Sequence, residues 1–287
     1  MKRTLLVLTS LSVLVACAEG PAPVSPRDAV LDAISAVYEA GTYHQELKMS
    51  ISAEGQSFSI GGEADVDNEH QKIDMTMDLG LLGGEMQIVM DGGVVYMRSP
   101  VFADAPTPWV SMDPTKMDPA TAAQFGGFGA GTTDPSAYAG LFAGVFDVKD
   151  SGQTEIDGVS TTHYVGTIDL EKVLARFPEM VGEDVDAATK EQLEAAVEQF
   201  EALGIETKIP FEIWIDEEGL PRRQGITMDF GDIVPGAAEA SLEMTVDYSD
   251  FGEPVDVEIP KRSQVTDVTD LMAGAGAGVD PGSGAYG

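Results

Sequence analysis

The chain has 287 residues and is strongly acidic, with 49 Asp and Glu residues, 16 Lys and Arg residues and a formal net charge of −33. This charge excludes a protein that binds nucleic acid, because phosphate contacts require lysine and arginine, and one that docks on anionic lipid headgroups through a basic patch. We interpret the acidity as a contribution to solubility or an adaptation to a salty medium. The apolar fraction of 43% is normal for a folded domain.

Residues 1–16 have the pattern of a bacterial signal peptide. Lys2 and Arg3 precede an uncharged, mostly apolar run from Thr4 to Val13, which is too short to span a bilayer that needs roughly 20 residues. The next four residues, Leu-Val-Ala-Cys, resemble the lipobox of bacterial lipoproteins. The resemblance implies cleavage before Cys17 and lipidation of this cysteine with a diacylglyceryl group whose acyl chains are of the palmitate type.

Cys17 is the only cysteine, so the chain cannot form an internal disulfide bond. We therefore interpret this cysteine as the attachment point of a lipid. An ordinary secretory signal with an incidental cysteine is the alternative. The small and polar residues 17–25 then form a lipidated tether with a reach of about 30 Å. This tether predicts a domain held close to the outer face of the bacterial cytoplasmic membrane by its lipid anchor.

A helix is predicted directly after the tether. Ser25 is a favoured N-cap residue, Pro26 suits the first helical position, and Asp28 suits the first turn. Apolar residues follow at helical spacing as far as Tyr38, and Gly41 is predicted to end the helix.

From Tyr43 to Met97, apolar and polar residues alternate with the period of two that is typical of half-buried strands. Turn signals separate the apolar runs: Asp67-Asn68-Glu69, Gly83-Gly84 and Asp91-Gly92-Gly93. The pattern predicts an antiparallel meander of strands joined by short loops.

The second half of the chain is predicted to mix strands and helices. Strands are predicted at 147–156, 159–168, 205–216, 220–231 and 239–250, and an extended segment continues to about Pro260. Helices are predicted at about 135–146, 170–177 and 186–203. The domain is predicted to span 26–262, and the Gly- and Ala-rich residues 263–287 are predicted to be disordered.

The sequence contains no recognisable catalytic or metal-binding motif. His44, His70 and His163 are not spaced as metal ligands, and no second cysteine can complete a zinc site. The acidic loop at 65–69 lacks the glycine and the distal glutamate of an EF-hand. Nucleophile elbows, phosphate-binding loops and dinucleotide fingerprints are missing as well. We therefore predict no catalytic residue, no metal, no cofactor and no enzymatic activity.

Methionine is frequent in the predicted strands, although strands normally favour β-branched and aromatic residues. Because methionine is flexible and polarizable, a methionine-lined face can adapt to irregular apolar ligands such as lipids. We therefore predict that strand residues line an apolar binding site: Met49, Ile51, Met75, Met77, Met86, Ile88 and Met90. An ordinary core in which methionine fills gaps is the alternative.

A glycine-rich segment, Phe125-Gly-Gly-Phe128-Gly, is the second candidate for ligand contact. Its glycines permit large changes of φ and ψ, and its two rings are apolar. We predict a mobile lip over the mouth of the cavity, through which acyl chains enter. A surface loop with its rings tucked inward is the alternative.

Several motifs spread over about residues 28–262 resemble actinobacterial lipoproteins of the LppX/LprAFG type, within the LolA-like superfamily. They lie at 96–100, 109–112, 161–170, 213–223 and 248–255. The resemblance implies an α+β fold in which a strongly curved antiparallel sheet, a half-open β-barrel, has helices covering its concave face. It also implies an apolar cavity for acylated molecules. These motifs are strand and turn signatures, so they indicate the scaffold rather than the cargo.

The leading hypothesis is a membrane-anchored envelope lipoprotein that binds lipids or lipoglycans in this cavity and transports them, with an envelope transporter as a further partner. The alternative is a non-carrier envelope lipoprotein that acts as a sensor or scaffold for protein partners. A bound acylated ligand would favour the first function.

Overall fold

The computed structural model describes residues 24–53, 56–80, 84–116, 145–169, 172, 207–231 and 240–269. A helix, α1 (Pro26–Glu39), precedes the strands. The strands are β1 (Thr42–Ala53), β2 (Gln56–Asp67), β3 (Lys72–Asp78), β4 (Glu85–Asp91), β5 (Val94–Arg98), β6 (Trp109–Met112), β7 (Val145–Ile156), β8 (Val159–Asp169), β9 (Lys208–Asp216), β10 (Pro221–Gly231), β11 (Ala240–Ser249) and β12 (Val265–Asp267).

Helix α1 begins and ends as its sequence predicts. The backbone N–H of Asp28 donates to Ser25 Oγ at 3.1 Å, and this hydroxyl donates in turn to the Asp28 carboxylate at 2.7 Å. The first contact satisfies a backbone N–H that the first helical turn leaves without an intrahelical partner. The helix ends at Glu39, and Gly41 follows with φ +79°, a conformation that glycine adopts without strain.

The described strands form one sheet in the order β12-β6-β5-β4-β3-β2-β1-β11-β10-β9-β8-β7. Most neighbours are antiparallel and consecutive in sequence, as short hairpin loops require. β1 pairs with β11 from His44↔Ser249 to Ser52↔Ser241, which joins the two halves of the meander. β12 pairs with β6 in parallel. The edges of this sheet are β7 and β12, and the sheet is open between them.

The packing of α1 requires the sheet to be curved. Val30 and Ile34 belong to a cluster that reaches Val148 on β7, and Val37 belongs to a cluster that reaches Met75 on β3. Seven strand spacings separate β3 from β7, about 34 Å in a flat sheet. Val30 and Val37 are only about 10 Å apart along the helix axis. The sheet therefore curls around the helix.

The helix defines an inner and an outer face of the sheet. Phe211, Ile213 and Ile215 of β9 are buried against α1, so their side is the inner face. Residues directly opposite each other on neighbouring strands point to the same face, and the register carries this assignment across the sheet to β6. A second buried cluster lies on the inner face of β4 to β6: Ile88, Met90, Val95, Met97, Val110 and Met112.

The end of the folded domain lies further along the chain than the predicted boundary at 262. β12 occupies 265–267, Val268 packs against the buried cluster of β4 to β6, and the backbone N–H of Asp113 donates to Thr269 Oγ1 at 3.0 Å. Residues 263–269 are thus ordered rather than disordered. β12 pairs in parallel with β6, which lies about 150 residues earlier in the chain. No local pattern in the sequence indicates such a distant pairing.

The helix predicted at about 135–146 is wrong at its last two residues. Val145 pairs with Ile168 and Phe146 with Thr167, so both belong to β7. Strand pairing with β8 outweighs the local helical pattern there. The rest of this predicted helix, the helices predicted at 170–177 (except Lys172) and 186–203, and the tail from 270 lie outside the described residues. In the part of the chain that is described, no helix has the length and apolar character needed to cross a bilayer.

Candidate functional site

The methionines of the described strands all point to the inner face. On β3 and β4 the pairs Met75↔Ile88 and Met77↔Met86 lie directly opposite each other, and on β1 and β11 Met49 lies opposite Met244. The complete set is Met49, Met75, Met77, Met86, Met90, Met97, Met112, Met228 and Met244. Period-two alternation therefore concentrates this flexible side chain on the concave side of the sheet.

Burial divides the inner face into two parts. Towards one end of the strands, Ile88 and Met90 are 1% and 3% exposed and belong to a packed core. Towards the other end, the inner-face side chains remain partly exposed among the described residues. We call this part the open end: Met49, Ile51, Phe58, Ile60, Met77, Met86, Met228, Leu242 and Met244. Four of the predicted site residues thus lie in the open end: Met49, Ile51, Met77 and Met86. Ile88 and Met90 lie in the core.

A glycine shapes the inner face between β1 and β3. Gly62 lies opposite Leu47 on one side and Met77 on the other. A Cβ atom at this position would lie 2.9 Å from the backbone oxygen of Thr76 and 3.2 Å from Cγ of Met77. The lack of a side chain on Gly62 therefore leaves the space that Met77 occupies.

Polar groups border the open end towards the centre of the inner face. The hydroxyl of Tyr248 donates to Oε1 of Gln224 at 3.1 Å, and Gln45 lies opposite Tyr248 on β1. These side chains separate the apolar open end from the core around Val37 and Tyr43. They offer a few hydrogen-bonding groups beside a large apolar surface, an arrangement typical of small-molecule sites.

A pocket of about 520 Å³ lies at the rim of the open end, between the start of β4 and the loop that follows β5. We call it the rim pocket. Its lining is Glu85, Arg98, Ser99, Pro100, Phe102, Ala103, Ala105, Pro106, Thr107 and Pro108. Ser99 accepts a hydrogen bond from the backbone N–H of Val101 at 3.3 Å and so begins a 3₁₀ turn. Sequence reasoning missed this pocket, although the motif at 96–100 passes through it.

The histidines each pair with one carboxylate. His44 Nδ1 lies 2.8 Å from Asp65, His70 Nδ1 lies 2.8 Å from Asp67, and His163 Nε2 lies 2.8 Å from Glu212. His163 also stacks on Trp214, with ring centroids 4.3 Å apart. Within the described residues, no three histidine, cysteine or acidic side chains converge as metal ligands.

The outer face carries the charged side chains. Burial raises the pKa of Asp247, but hydrogen bonds from Arg223 and Lys48 outweigh it and hold the pKa below its ordinary value. Burial raises the pKa of Asp74 above its ordinary value, and the nearby carboxylates of Asp65 and Glu258 add to this effect. Some carboxylates of the outer face are therefore compensated by ion pairs, and others repel each other.

Three of the predicted site residues lie outside the described residues: the lipidation residue Cys17 and the lip residues Phe125 and Phe128. Their roles stay predictions.

Comparison with known sequences gives a partial match. No family model matches the chain. Over 131 residues, or 46% of its length, the chain is 33% identical to an uncharacterized 31.2 kDa protein from the rplA-rplJ intergenic region of Streptomyces griseus. The match spans 38% of that relative.

Structural neighbours of the chain include two mycobacterial lipoproteins and a LolA superfamily protein. Lipoprotein LppX from Mycobacterium tuberculosis is 15% identical, with a TM-score of 0.46 over 81% of this chain and 98% of its own. LprF from Mycobacterium bovis is 14% identical, with a TM-score of 0.45 over 82% and 96%. A LolA superfamily protein from Nitrosomonas europaea is 8% identical, with a TM-score of 0.31 over 85% and 99%.

Proposed function

We propose that this chain is an envelope lipoprotein that binds the acyl chains of lipids or lipoglycans on the open end and transports them. In this proposal the diacylglyceryl group on Cys17 anchors the domain to the outer face of the cytoplasmic membrane. Phe125 and Phe128 form the lip through which acyl chains enter, and an envelope transporter is the partner that exchanges cargo with the domain.

One observation carries the proposal: the described strands direct all their methionines to one concave face, and part of that face is accessible. Apolar side chains that stay partly exposed together on one face are typical of a ligand or interaction site. Methionine side chains can repack around acyl chains of different length and unsaturation. A face of this kind suits a ligand class that is apolar and variable in shape.

The energetics of lipid movement make such a face useful without any catalytic group. A lipid with two acyl chains exposes some thirty methylenes when it leaves the bilayer, at roughly 0.8 kcal/mol each, or on the order of 20 kcal/mol in total. A protein that covers these methylenes lowers this barrier by burial alone. The open end offers the matching apolar surface.

The proposal is tested with Met77→Gln, which places a polar group in the middle of the open end. We expect this variant to lose most of the acylated ligand that the wild-type chain retains after expression in a bacterial host, because burying an amide without a partner costs about 1–3 kcal/mol. Native mass spectrometry measures the bound fraction, and a melting curve measures stability.

Thr76→Gln is the matched control, since Thr76 is the preceding residue of β3 and points to the outer face. It should change neither ligand retention nor stability appreciably. If Met77→Gln lowers stability while the bound ligand is retained, the methionines form an ordinary core. If the wild-type chain carries no acylated ligand and instead captures proteins, the sensor or scaffold function replaces the carrier.

A further inference from the structure

Burial separates two groups of methionines on the inner face of the sheet. Met90 and Met112 are 3% and 1% exposed and belong to the buried cluster of β4 to β6. Met49, Met228 and Met244 of the open end are partly exposed, and none of them belongs to a buried cluster of the described residues. We call these three residues the methionine patch. Solvent and dissolved molecules therefore reach the methionine patch but not the core methionines.

The methionine patch lies on three neighbouring strands. Met49 of β1 stands directly opposite Met244 of β11, and Met228 of β10 is a diagonal neighbour of Met244. Met77 and Met86, the other methionines of the open end, pack against the buried cluster of β4 to β6 instead. The patch thus concentrates accessible thioethers in one part of the open end.

Methionine differs from other apolar residues because a mild oxidant makes its side chain polar. Hydrogen peroxide transfers one oxygen atom to Sδ: an S–O bond forms, the O–O bond breaks, and the departing hydroxide takes up the hydrogen of the transferred oxygen and leaves as water. The thioether loses two electrons, and the peroxide gains them. The product, methionine sulfoxide, disrupts apolar surfaces that are rich in methionine.

The cross-strand neighbours of the methionine patch are apolar. Met49 lies opposite Ile60 on β2, and Met244 lies opposite Ile226 on β10. An acyl chain on the patch would therefore cover a sulfoxide oxygen among apolar side chains. Burial of a polar group without a hydrogen-bond partner is costly, so an oxidised patch binds acyl chains less tightly than a reduced one.

We infer that the methionine patch is an oxidation site that regulates the open end: hydrogen peroxide converts its methionines to sulfoxides, and the oxidised open end releases its acyl chains. The inference rests on the proposed function and adds the regulation of the same site by peroxide. Because the core methionines are buried, the fold persists when the patch is oxidised.

The first test maps the oxidised residues. The full chain is treated with hydrogen peroxide at neutral pH, and mass spectrometry of its peptides follows each methionine over time. The methionine patch should react at least about ten times faster than Met90 and Met112, because the peroxide must reach the sulfur. Equal rates for the two groups would overturn the inference. A large fall in the melting temperature of the oxidised chain would also overturn it, since release would then follow from unfolding.

The second test measures binding. Diheptanoyl phosphatidylcholine is the probe, because its saturated acyl chains do not react with peroxide. In calorimetric titration the oxidised chain should bind this probe at least about tenfold more weakly than the untreated chain. Methionine sulfoxide reductases with dithiothreitol should restore the affinity, because the sulfoxide oxygen leaves as water while the dithiol becomes a disulfide. Affinity that stays low would overturn the inference, since the lesion would then not be a sulfoxide.

Leucine variants provide the controls, and the measured quantity is the ratio of the probe affinities before and after peroxide in each variant. Met49→Leu, Met228→Leu and Met244→Leu together remove the oxidisable sulfurs at nearly constant volume and should bring this ratio to about one. Met90→Leu with Met112→Leu is the matched control and should keep the wild-type ratio. If peroxide leaves the wild-type affinity unchanged, or weakens binding equally in the patch variant, the inference is overturned while the acyl-binding function stands. If the untreated wild type does not bind the probe, the proposed function itself fails.

Discussion

At the residue scale, two adjacent glycines of β2 have opposite surroundings. Gly62 faces inward beneath Met77, where a Cβ would meet the backbone oxygen of Thr76 at 2.9 Å. Gly61 faces outward, and its Cβ would meet nothing nearer than the backbone oxygen of Leu47 at 3.9 Å. A backbone atom cannot move away by rotating a side chain, so only Gly62 is required as glycine.

We therefore expect Gly62→Ala to destabilise the domain by about 1–3 kcal/mol, the usual cost of overpacking, and to push Met77 out of its position. Gly61→Ala is the adjacent control and should be neutral or slightly stabilising, because alanine reduces the freedom of the unfolded chain. Thermal unfolding of both variants checks the prediction. Equal melting temperatures would contradict the close packing of Met77 on Gly62.

At the element scale, the strands with strong alternation are predictable from the sequence and the short ones are not. The alternation from Tyr43 to Met97 predicts β1 to β5, and the turn signals predict their order. β6 and β12 have four and three residues, too few to show a period. Their pairing depends on contacts between residues far apart in the chain, such as Thr107 with Thr266, which no local pattern records.

The candidate site is predictable to the same extent. Period two places the predicted methionines on one face, because every second residue of a strand points the same way. The division between core and open end depends instead on what packs against each strand. Ile88 and Met90 are buried because Phe102, Ala105 and Val268 pack against their cluster. The rim pocket depends on the same loop, so no local pattern in the sequence indicates it.

The last described element, β12 with Val268, is predicted to stabilise the edge of the sheet. Val268→Asp places a carboxylate against the buried cluster of β4 to β6, which should cost about 2 kcal/mol and lower the melting temperature by roughly 4–8 °C. Val101→Asp is the matched control, since Val101 is 76% exposed, and its effect should be small. Similar melting temperatures for the two variants would mean that the domain ends before β12, as the sequence composition suggests.

At the scale of the whole molecule, the sheet separates two kinds of surface. The inner face concentrates apolar side chains around α1 and the open end, and the outer face carries charges such as Glu46, Glu63 and Asp65. Like charges stand opposite each other at Glu46↔Glu63 and Asp65↔Asp74, which is destabilising for cross-strand pairs. Folding thus brings carboxylates of like charge together, and the net charge of −33 makes the repulsion between them large.

We therefore expect salt to stabilise the domain. Raising NaCl from about 0.1 M to about 1 M shortens the Debye length from about 10 Å to about 3 Å and screens the repulsion between outer-face carboxylates. The melting temperature at neutral pH should rise by about 4 °C or more, which corresponds to roughly 1–2 kcal/mol for a domain of this size. KCl should have the same effect, because screening depends on ionic strength.

The same comparison of NaCl concentrations, made near pH 4.5, is the control for this prediction. The sequence has a pI of about 4.1, so most of the net charge is neutralised there and little repulsion remains to be screened.

The pKa of Asp247 is held below its ordinary value. The stability from its pair with Arg223 is therefore present at this pH and is lost only as the pH falls further, through the lowered pKa. The rise with salt should thus shrink near pH 4.5 while the fold persists. An equal rise at both pH values would assign the salt effect to strengthened apolar burial rather than to charge screening.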